Sequence, residues 1–270
     1  MPASPHGYPA ASPASTAGTW LRTTVSAHPV PELHVVCFPP AGGASGSFSA
    51  LRRAVGPATL CTCVLLPGRE SRIAEQEPWD PDRIADHIAE ALPVRLRETR
   101  APYVMLGHSM GGLFAYEVTA RLVAAGEPRP MRLVVAGSEA PSGAAGHRLD
   151  TADPVGVLRE LRGADQEVFD HPELLRIAAT TLQADLRMIR RYRFAGAKID
   201  VPLTVLLGRE DPLVGAPAAA GWTELGTSGT SVRVLPGGHF FLDPHYPELL
   251  AEWRREAQAT GHRPDRARPV

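Results

Sequence analysis

The sequence predicts an α/β fold in which helices cover both faces of a mostly parallel sheet. Short, continuous apolar runs alternate along the chain with stretches in which apolar residues recur at helical spacing. Continuous apolar strands are typical of sheets that are buried on both faces. Apolar residues make up 44% of the 270 residues and charged residues 21%, which fits one globular core. We therefore expect a single domain over residues 19–258.

The elements follow one another in a regular order. The predicted strands are Leu33–Phe38, Cys61–Leu66, Tyr103–Leu106, Leu133–Ala136, Leu203–Leu207 and Ser231–Leu235. The predicted helices with the clearest apolar stripes are Asp82–Thr99, Met110–Ala124 and Tyr246–Ala257. Pro81 suits the start of the first helix, and Pro93 lies inside its pattern, where proline can kink a helix.

One segment interrupts this alternation. Residues 154–194 contain no strand-like run, and helical patterns cover about 155–162 and 173–191. Connections of this length are uncommon in compact domains unless they have a function. We therefore interpret residues 150–196 as a helical lid over an active site. The alternative is an ordinary crossover helix.

Charge and composition exclude several classes of protein. The net charge of −1 gives no basic field that would attract nucleic acid. The sequence has neither a secretion signal nor the roughly 18 apolar residues that span a bilayer, so we expect a cytoplasmic protein without membrane contact.

Residues 1–18 and 259–270 are predicted to be a disordered arm and tail. Cys61 and Cys63 share one strand face without forming a C-x-x-C motif, which predicts small buried residues.

The strongest signal for chemistry is Gly107-His108-Ser109-Met110-Gly111, which lies between a predicted strand and a predicted helix. In this context G-x-S-x-G forms a sharp turn that presents the serine oxygen above the sheet. The glycines provide space for that turn, and the N-terminus of the helix favours developing negative charge. Ser109 is therefore the predicted nucleophile of a serine hydrolase.

A serine nucleophile needs a base, and this fold carries it after the acid in the chain. His239 follows the last predicted strand in a glycine-rich loop and is the preferred base. His245 and His262 are the other late histidines. Asp211 follows the strand Leu203–Leu207 and is the preferred acid. The alternatives for the acid are Glu139, Glu210 and Asp243.

An oxyanion hole needs two backbone donors. We expect one from Met110, directly after the nucleophile, and the other from the loop that follows Leu33–Phe38. Prolines 39 and 40 have no amide hydrogen, so Ala41 is the preferred second donor and Gly42 the alternative. A glycine-rich loop without any role is also compatible with the sequence.

The runs FPPAGG, LPGRE, GHSMGG, GREDPLV and GGHFFL occur in a set order. Together they resemble the stand-alone (type II) thioesterases that accompany modular polyketide and nonribosomal peptide synthetases. The resemblance covers residues 20–257, and it departs from the family pattern at Pro40, at Gln183-Ala184-Asp185 and at Arg190-Arg191-Tyr192. It implies an α/β-hydrolase with Ser109, Asp211 and His239 as the triad and with Ala41 and Met110 at the oxyanion hole.

The resemblance also implies hydrolysis of acyl groups from the phosphopantetheine arm of acyl or peptidyl carrier proteins, without a cofactor or metal of the enzyme's own. We expect a monomer. The alternatives are an esterase or acyltransferase on the same fold and a non-enzymatic carrier-binding protein. Arg187, Arg190 and Arg191, with Arg193 nearby, are spaced for one helix face, and such a patch is either a docking surface for an acidic carrier or an ordinary solvated face.

Overall fold

A computed structural model of the chain describes residues 19–24, 31–75, 78–143, 153–160 and 166–259. Its described residues form one seven-stranded sheet in the order β1-β3-β2-β4-β5-β6-β7. Strand β1 is antiparallel to β3, and all other neighbouring strands are parallel. The strands are β1 (Leu21–Thr23), β2 (Leu33–Phe38), β3 (Thr59–Val64), β4 (Tyr103–His108), β5 (Arg132–Ala136), β6 (Leu203–Gly208) and β7 (Thr230–Leu235).

Helices connect these strands and cover the sheet. They are α1 (Ser49–Ala54), α2 (Pro81–Thr99), α3 (Met110–Ala124), α4 (Pro154–Glu160), α5 (Gln166–Asp170), α6 (Pro172–Ile189), α7 (Ala216–Thr223) and α8 (Tyr246–Ala259). Short 3₁₀ helices occupy Ser45–Phe48, Glu70–Arg72 and Asp243–His245. Helix α2 begins at Pro81, after Asp80 caps its first amides, and it continues through Pro93.

Two apolar layers form the core, one on each face of the sheet. Helices α2, α3 and α7 pack on one face, where Ile88, Phe114 and Trp222 are buried. Helices α1 and α8 pack on the other, where Leu51 and Trp253 are buried. The predicted α/β class, with a parallel sheet covered on both sides, is therefore confirmed. Because the parallel strands end at the same edge, the loops after β2, β4, β5, β6 and β7 meet there.

The element boundaries differ from the predictions in two places that have physical causes. The second strand runs over Thr59–Val64 instead of Cys61–Leu66, because Leu65 and Leu66 are buried in the core but lie beyond the ladder. The last helix of the interrupting segment ends at Ile189, so Arg190 and Arg191 lie beyond it. Strand β1 and helices α1, α5 and α7 were not predicted.

The described residues between β5 and β6 form the three helices α4, α5 and α6, with turns and coil before α4 and after α6. It has its own small apolar cluster, formed by Val157, Leu158, Ala179, Leu182 and Leu186. Ala41, in the loop after β2, packs against this cluster. The inserted helices therefore rest on the edge of the sheet where the candidate site residues meet.

Three cysteines lie in the layer beneath α8. Cys37 of β2 and Cys61 and Cys63 of β3 are buried, and their sulfur atoms lie within 4.8 Å of one another. Burial raises the pKa of the Cys37 thiol well above its usual value, so this side chain packs as a neutral group. The predicted burial of Cys61 and Cys63 is confirmed.

The predicted arm over residues 1–18 lies outside the described residues, as does the predicted tail except for Ala259, which ends α8. Of the helices in the described part of the chain, none combines the length and the apolar character needed to cross a bilayer.

Candidate active site

Ser109 lies at the turn between β4 and α3, in a backbone conformation that is rare for a residue with a side chain. Its φ is 53° and its ψ is −122°. Such strain persists only where the surrounding structure enforces it, and it is concentrated at functional sites. Ideal Cβ atoms at Gly107 and Gly111 would lie 2.5 Å from the Gly112 Cα and from the Phe38 carbonyl carbon. Both positions of the motif therefore require glycine.

The structure brings Ser109, His239 and Asp211 together in one chain of contacts. The Nε2 atom of His239 lies 3.0 Å from the Ser109 Oγ, and its Nδ1 atom lies 2.9 Å from the Asp211 Oδ2. The side chains of His239 and Asp211 are 2% and 0% exposed, respectively. Burial from water strengthens the electrostatic interaction between these two groups.

Asp211 is held as a carboxylate by more than the histidine. Its Oδ1 accepts hydrogen bonds from the amides of Leu213 at 2.9 Å and Val214 at 3.3 Å. Burial alone would raise the pKa of this carboxyl, but the hydrogen bond and charge of His239, together with the two amides, hold the pKa below its usual value. Asp211 therefore presents a fixed negative charge to the Nδ1 atom of His239.

The alternative acids have other surroundings in the structure. Glu210 accepts a 2.5 Å hydrogen bond from the Gly237 amide, so it supports the loop that carries His239. The Glu139 carboxylate lies beside Gly143, and Asp243 is exposed at the start of a 3₁₀ helix.

His245, the alternative base that the structure describes, makes a different contact. The Nε2 atom of His245 is 3.2 Å from the Pro236 carbonyl oxygen. His262 falls outside the described residues. The contacts therefore favour Asp211 and His239.

His108 is a site residue to which the sequence assigned no role. It is buried, its Nε2 lies 2.8 Å from the His239 carbonyl oxygen, and its ring lies 5.3 Å from the His239 ring. Burial, together with the charge of the neighbouring His239, lowers the pKa of His108 to about 3. A neutral imidazole that donates Nε2–H to this carbonyl supports the His239 loop without adding positive charge beside the base.

The loop after β2 lies directly against the start of α3, since an ideal Cβ at Gly111 would lie 2.5 Å from the Phe38 carbonyl carbon. The amide of Met110, the first residue of α3, has no helical carbonyl one turn earlier. The Gly42 amide donates a 2.7 Å hydrogen bond to the Asp185 Oδ2 of helix α6. The Ala41 amide has no hydrogen-bond acceptor among the described residues. This difference favours Ala41 over Gly42 as a donor to a ligand.

Two further residues border this loop. Arg69 donates to the Gly43 carbonyl oxygen and forms a buried ion pair with Asp185. No local pattern could have identified this pair, because 116 positions separate its members in the chain.

A hydroxyl beside an imidazole, an imidazole beside a buried carboxylate and backbone amides nearby can carry out acyl transfer through a serine nucleophile. The strand–Ser109–helix turn at the edge of a mostly parallel sheet places the chain among the α/β-hydrolases.

Comparisons with known proteins narrow this class. The model of the thioesterase domain family matches residues 33–256. A probable cadicidin biosynthesis thioesterase of Streptomyces griseus is 34% identical over 263 residues, which cover 94% of this chain and 69% of that protein.

Two solved structures are also similar. The type II thioesterase BorB from the borrelidin biosynthetic cluster superimposes with a TM-score of 0.77 at 31% identity, over 88% of this chain and 98% of BorB. RedJ, a thioesterase from the prodiginine biosynthetic pathway in Streptomyces coelicolor, gives a TM-score of 0.72 at 33% identity, over 86% of this chain and 91% of RedJ.

The chain belongs to the thioesterase domain family. The predicted α/β-hydrolase fold and thioester hydrolase class are thereby confirmed.

Proposed function

We propose that this enzyme hydrolyses acyl groups from the phosphopantetheine arm of carrier proteins in polyketide or nonribosomal peptide synthesis, as an editing enzyme. The observation that carries the chemistry is the chain of contacts from Ser109 Oγ through His239 to Asp211. The similarity to thioesterases of cadicidin and prodiginine biosynthesis supports the setting.

In the acylation half, the Ser109 oxygen attacks the thioester carbonyl while the His239 Nε2 takes its proton. The amides of Met110 and Ala41 stabilise the oxyanion. The carbon–sulfur bond then breaks, and His239 returns the proton to the departing thiol. Asp211 stabilises the imidazolium between these two steps.

Deacylation repeats the sequence with water. His239 takes a proton from the water molecule as its oxygen attacks the Ser109 ester, and the carbon–Oγ bond breaks. The proton returns to Ser109, and the free acid leaves. The side chains and amides named here supply the nucleophile, the base and the oxyanion donors, so this cycle requires no cofactor beyond the pantetheine on the substrate.

The inserted helices α4 to α6 are proposed as a lid. Leu182 of α6 packs against Gly42, and Ala41 packs against the cluster that includes Leu182. The acyl chain would therefore meet apolar side chains of the insertion as it approaches Ser109.

The test of this function compares an acyl-carrier thioester with an oxygen ester of the same acyl chain. We expect a kcat/KM at least about tenfold higher for the carrier thioester, with free acid and holo-carrier as products by mass spectrometry. A preference for the oxygen ester would favour an esterase. Transfer of the acyl group to an added alcohol or amine instead of water would favour an acyltransferase, and binding of the carrier without turnover would favour a binding protein.

Carrier docking has a candidate surface at the end of α6, where Arg187, Arg190, Arg191 and Arg193 are exposed. Arg193 donates to the carbonyls of Arg190 and Tyr192, which fixes the chain that leaves the helix. Positive charges there would attract an acidic carrier.

Replacing Arg187→Glu and Arg191→Glu together should raise KM for the carrier substrate but not for a small acyl thioester. Arg255→Glu, an exposed position on α8, is the matched control. An unchanged KM for the carrier would reject this docking surface.

A further inference from the structure

A buried ion pair joins the inserted helix α6 to the loop after β3. The Arg69 Nη2 lies 2.6 Å from the Asp185 Oδ1, and its Nη1 lies 2.9 Å from Oδ2. The side chains are 4% and 0% exposed, respectively. Removing two charges from water on folding carries a large desolvation penalty, and apolar residues of similar size at the same positions are often at least as stabilising. Its contribution to stability is therefore a weak explanation for its presence.

Both members of the pair also bind the loop that carries the candidate oxyanion donor. The Asp185 Oδ2 accepts the Gly42 amide at 2.7 Å, and the Arg69 Nη1 donates to the Gly43 carbonyl at 2.7 Å. Hydrogen bonds to charged groups are stronger than those between neutral groups. The backbone directly after Ala41 is thus held on both its donor side and its acceptor side.

Backbone conformation makes this fixation necessary. Gly42 has a φ of 73°, in the left-handed region, and an ideal Cβ there would lie 3.1 Å from the Leu182 Cβ. A glycine in this region has many accessible conformations when its neighbours do not restrain it. If Gly42 rotated, the peptide plane between residues 41 and 42 would turn, and the loop would no longer hold the Ala41 amide in one direction.

We propose that Arg69 and Asp185 are positioning residues that fix the oxyanion loop, so that placement of α6 and competence of the oxyanion hole are coupled. This inference rests on the catalytic roles proposed above for Ser109 and Ala41. Neither Arg69 nor Asp185 touches the reacting atoms. They act through the Gly42 amide and the Gly43 carbonyl, and a misplaced oxyanion donor reduces turnover without altering substrate binding equally.

The test uses Asp185→Asn and Arg69→Met in the full chain, with a small acyl thioester as substrate so that carrier docking does not enter. Each variant should lower kcat about 10- to 100-fold and change KM less than about threefold, because the lost interaction is made mainly in the transition state. The double variant Arg69→Met with Asp185→Leu leaves no unpaired buried charge, and it should show a similar loss in kcat.

A second measurement reports directly on how well the site binds an oxyanion. A trifluoromethyl ketone with the same acyl chain forms an adduct in which Ser109 Oγ bonds to the carbonyl carbon. The serine proton passes to His239, and the ketone oxygen becomes an oxyanion. Its inhibition constant should rise by the same factor by which kcat/KM falls, as expected for a transition-state analogue.

The matched control is Arg72→Met. Arg72 lies in the same segment as Arg69 and is also buried, at 6% exposed. Its side chain donates two hydrogen bonds to Glu75 and one to the Leu65 carbonyl oxygen, whereas Arg69 bonds to the oxyanion loop. This variant should lower the melting temperature, as Arg69→Met does, and keep kcat within about threefold of wild type, since it leaves the oxyanion donors in place.

If the variants, assayed below their melting temperatures, keep kcat and the inhibition constant within about threefold of wild type, the inference is wrong. If either single variant does not fold, the kcat and the inhibition constant of the double variant provide the test. Two other results would instead contradict the proposed function itself: wild-type protein that does not hydrolyse the thioester, or a Ser109→Ala variant that still hydrolyses it.

Discussion

Asp211 contacts His239 with one carboxylate oxygen and two backbone amides with the other. The Oδ2 atom lies 2.9 Å from the His239 Nδ1, and Oδ1 accepts from Leu213 and Val214. The carboxylate is therefore fixed in orientation before any substrate binds, and it favours the tautomer in which Nε2 accepts the Ser109 proton.

Replacing Asp211→Asn should preserve the shape of the site and lower kcat by about 10³- to 10⁴-fold, because the amide no longer stabilises the imidazolium or the required tautomer. Steady-state hydrolysis of an acyl thioester measures this loss. Glu139→Gln is the matched control and should change kcat by less than about threefold, since the His239 Nδ1 contacts Asp211. A larger loss for Glu139→Gln than for Asp211→Asn would assign the acid to the other strand end.

The nucleophile turn should not tolerate a methyl group at its second glycine. In Gly111→Ala, the new Cβ would approach the Phe38 carbonyl carbon to 2.5 Å, so the start of α3 and the loop after β2 must separate. We expect labelling by a serine-directed fluorophosphonate to slow by at least about 100-fold, in line with loss of an oxyanion donor.

Gly46→Ala is the control for that substitution, because an ideal Cβ at Gly46 meets no atom within 4 Å. It should label at the wild-type rate. Equal labelling of the Gly111→Ala and Gly46→Ala proteins would show that the turn does not depend on this close approach.

Acid should destabilise the fold through two buried histidines. Burial, together with the charge of Arg95, lowers the pKa of His34 to about 3, and the pKa of His108 is also lowered to about 3. Between that value and the ordinary pKa of about 6.5, the unfolded chain binds protons that the folded chain does not. The free energy of unfolding therefore has its full value above about pH 6.5. It falls as the pH decreases, by up to about 1.4 kcal/mol per pH unit for each histidine.

Urea unfolding at several pH values between about 6 and 4.5 measures this dependence. Asp211, whose pKa is also lowered, contributes with the same sign, so a variant is needed to separate the groups. His34→Gln should reduce the slope of stability against pH by about 1.4 kcal/mol per unit. An unchanged slope would mean that His34 is not responsible.

Local patterns predicted much of this molecule. The turn at Ser109 and helix α3 depend on a few neighbouring residues, so glycine spacing and an apolar run were sufficient to place them. Asp211 and His239 were proposed from their order after predicted strands, and parallel topology then brought those strand ends to one edge. Strand β1 was missed because three residues carry too little periodicity.

What the sequence could not predict depends on contacts between distant segments. Gly42 and Ala41 were both open as oxyanion donors, and only the approach of Asp185 from α6 distinguishes them. His108 lies inside the motif, yet its role depends on the His239 carbonyl on another loop. The end of β3 was placed too late because apolar composition reports burial and not pairing, and Leu65 and Leu66 are buried beyond the ladder.

Ser109 is the proposed nucleophile that removes acyl groups from a carrier protein. The most direct measurement follows a purified acyl-carrier thioester by intact-protein mass spectrometry, with wild-type enzyme and with Ser109→Ala. Wild-type enzyme should release free acid and holo-carrier and show a transient acyl adduct on Ser109, while Ser109→Ala should bind the carrier and lose at least about 10³-fold in turnover. If Ser109→Ala still hydrolyses the thioester at a comparable rate, Ser109 is not the nucleophile. If wild-type enzyme leaves the thioester intact, an acyl-carrier protein is not the substrate.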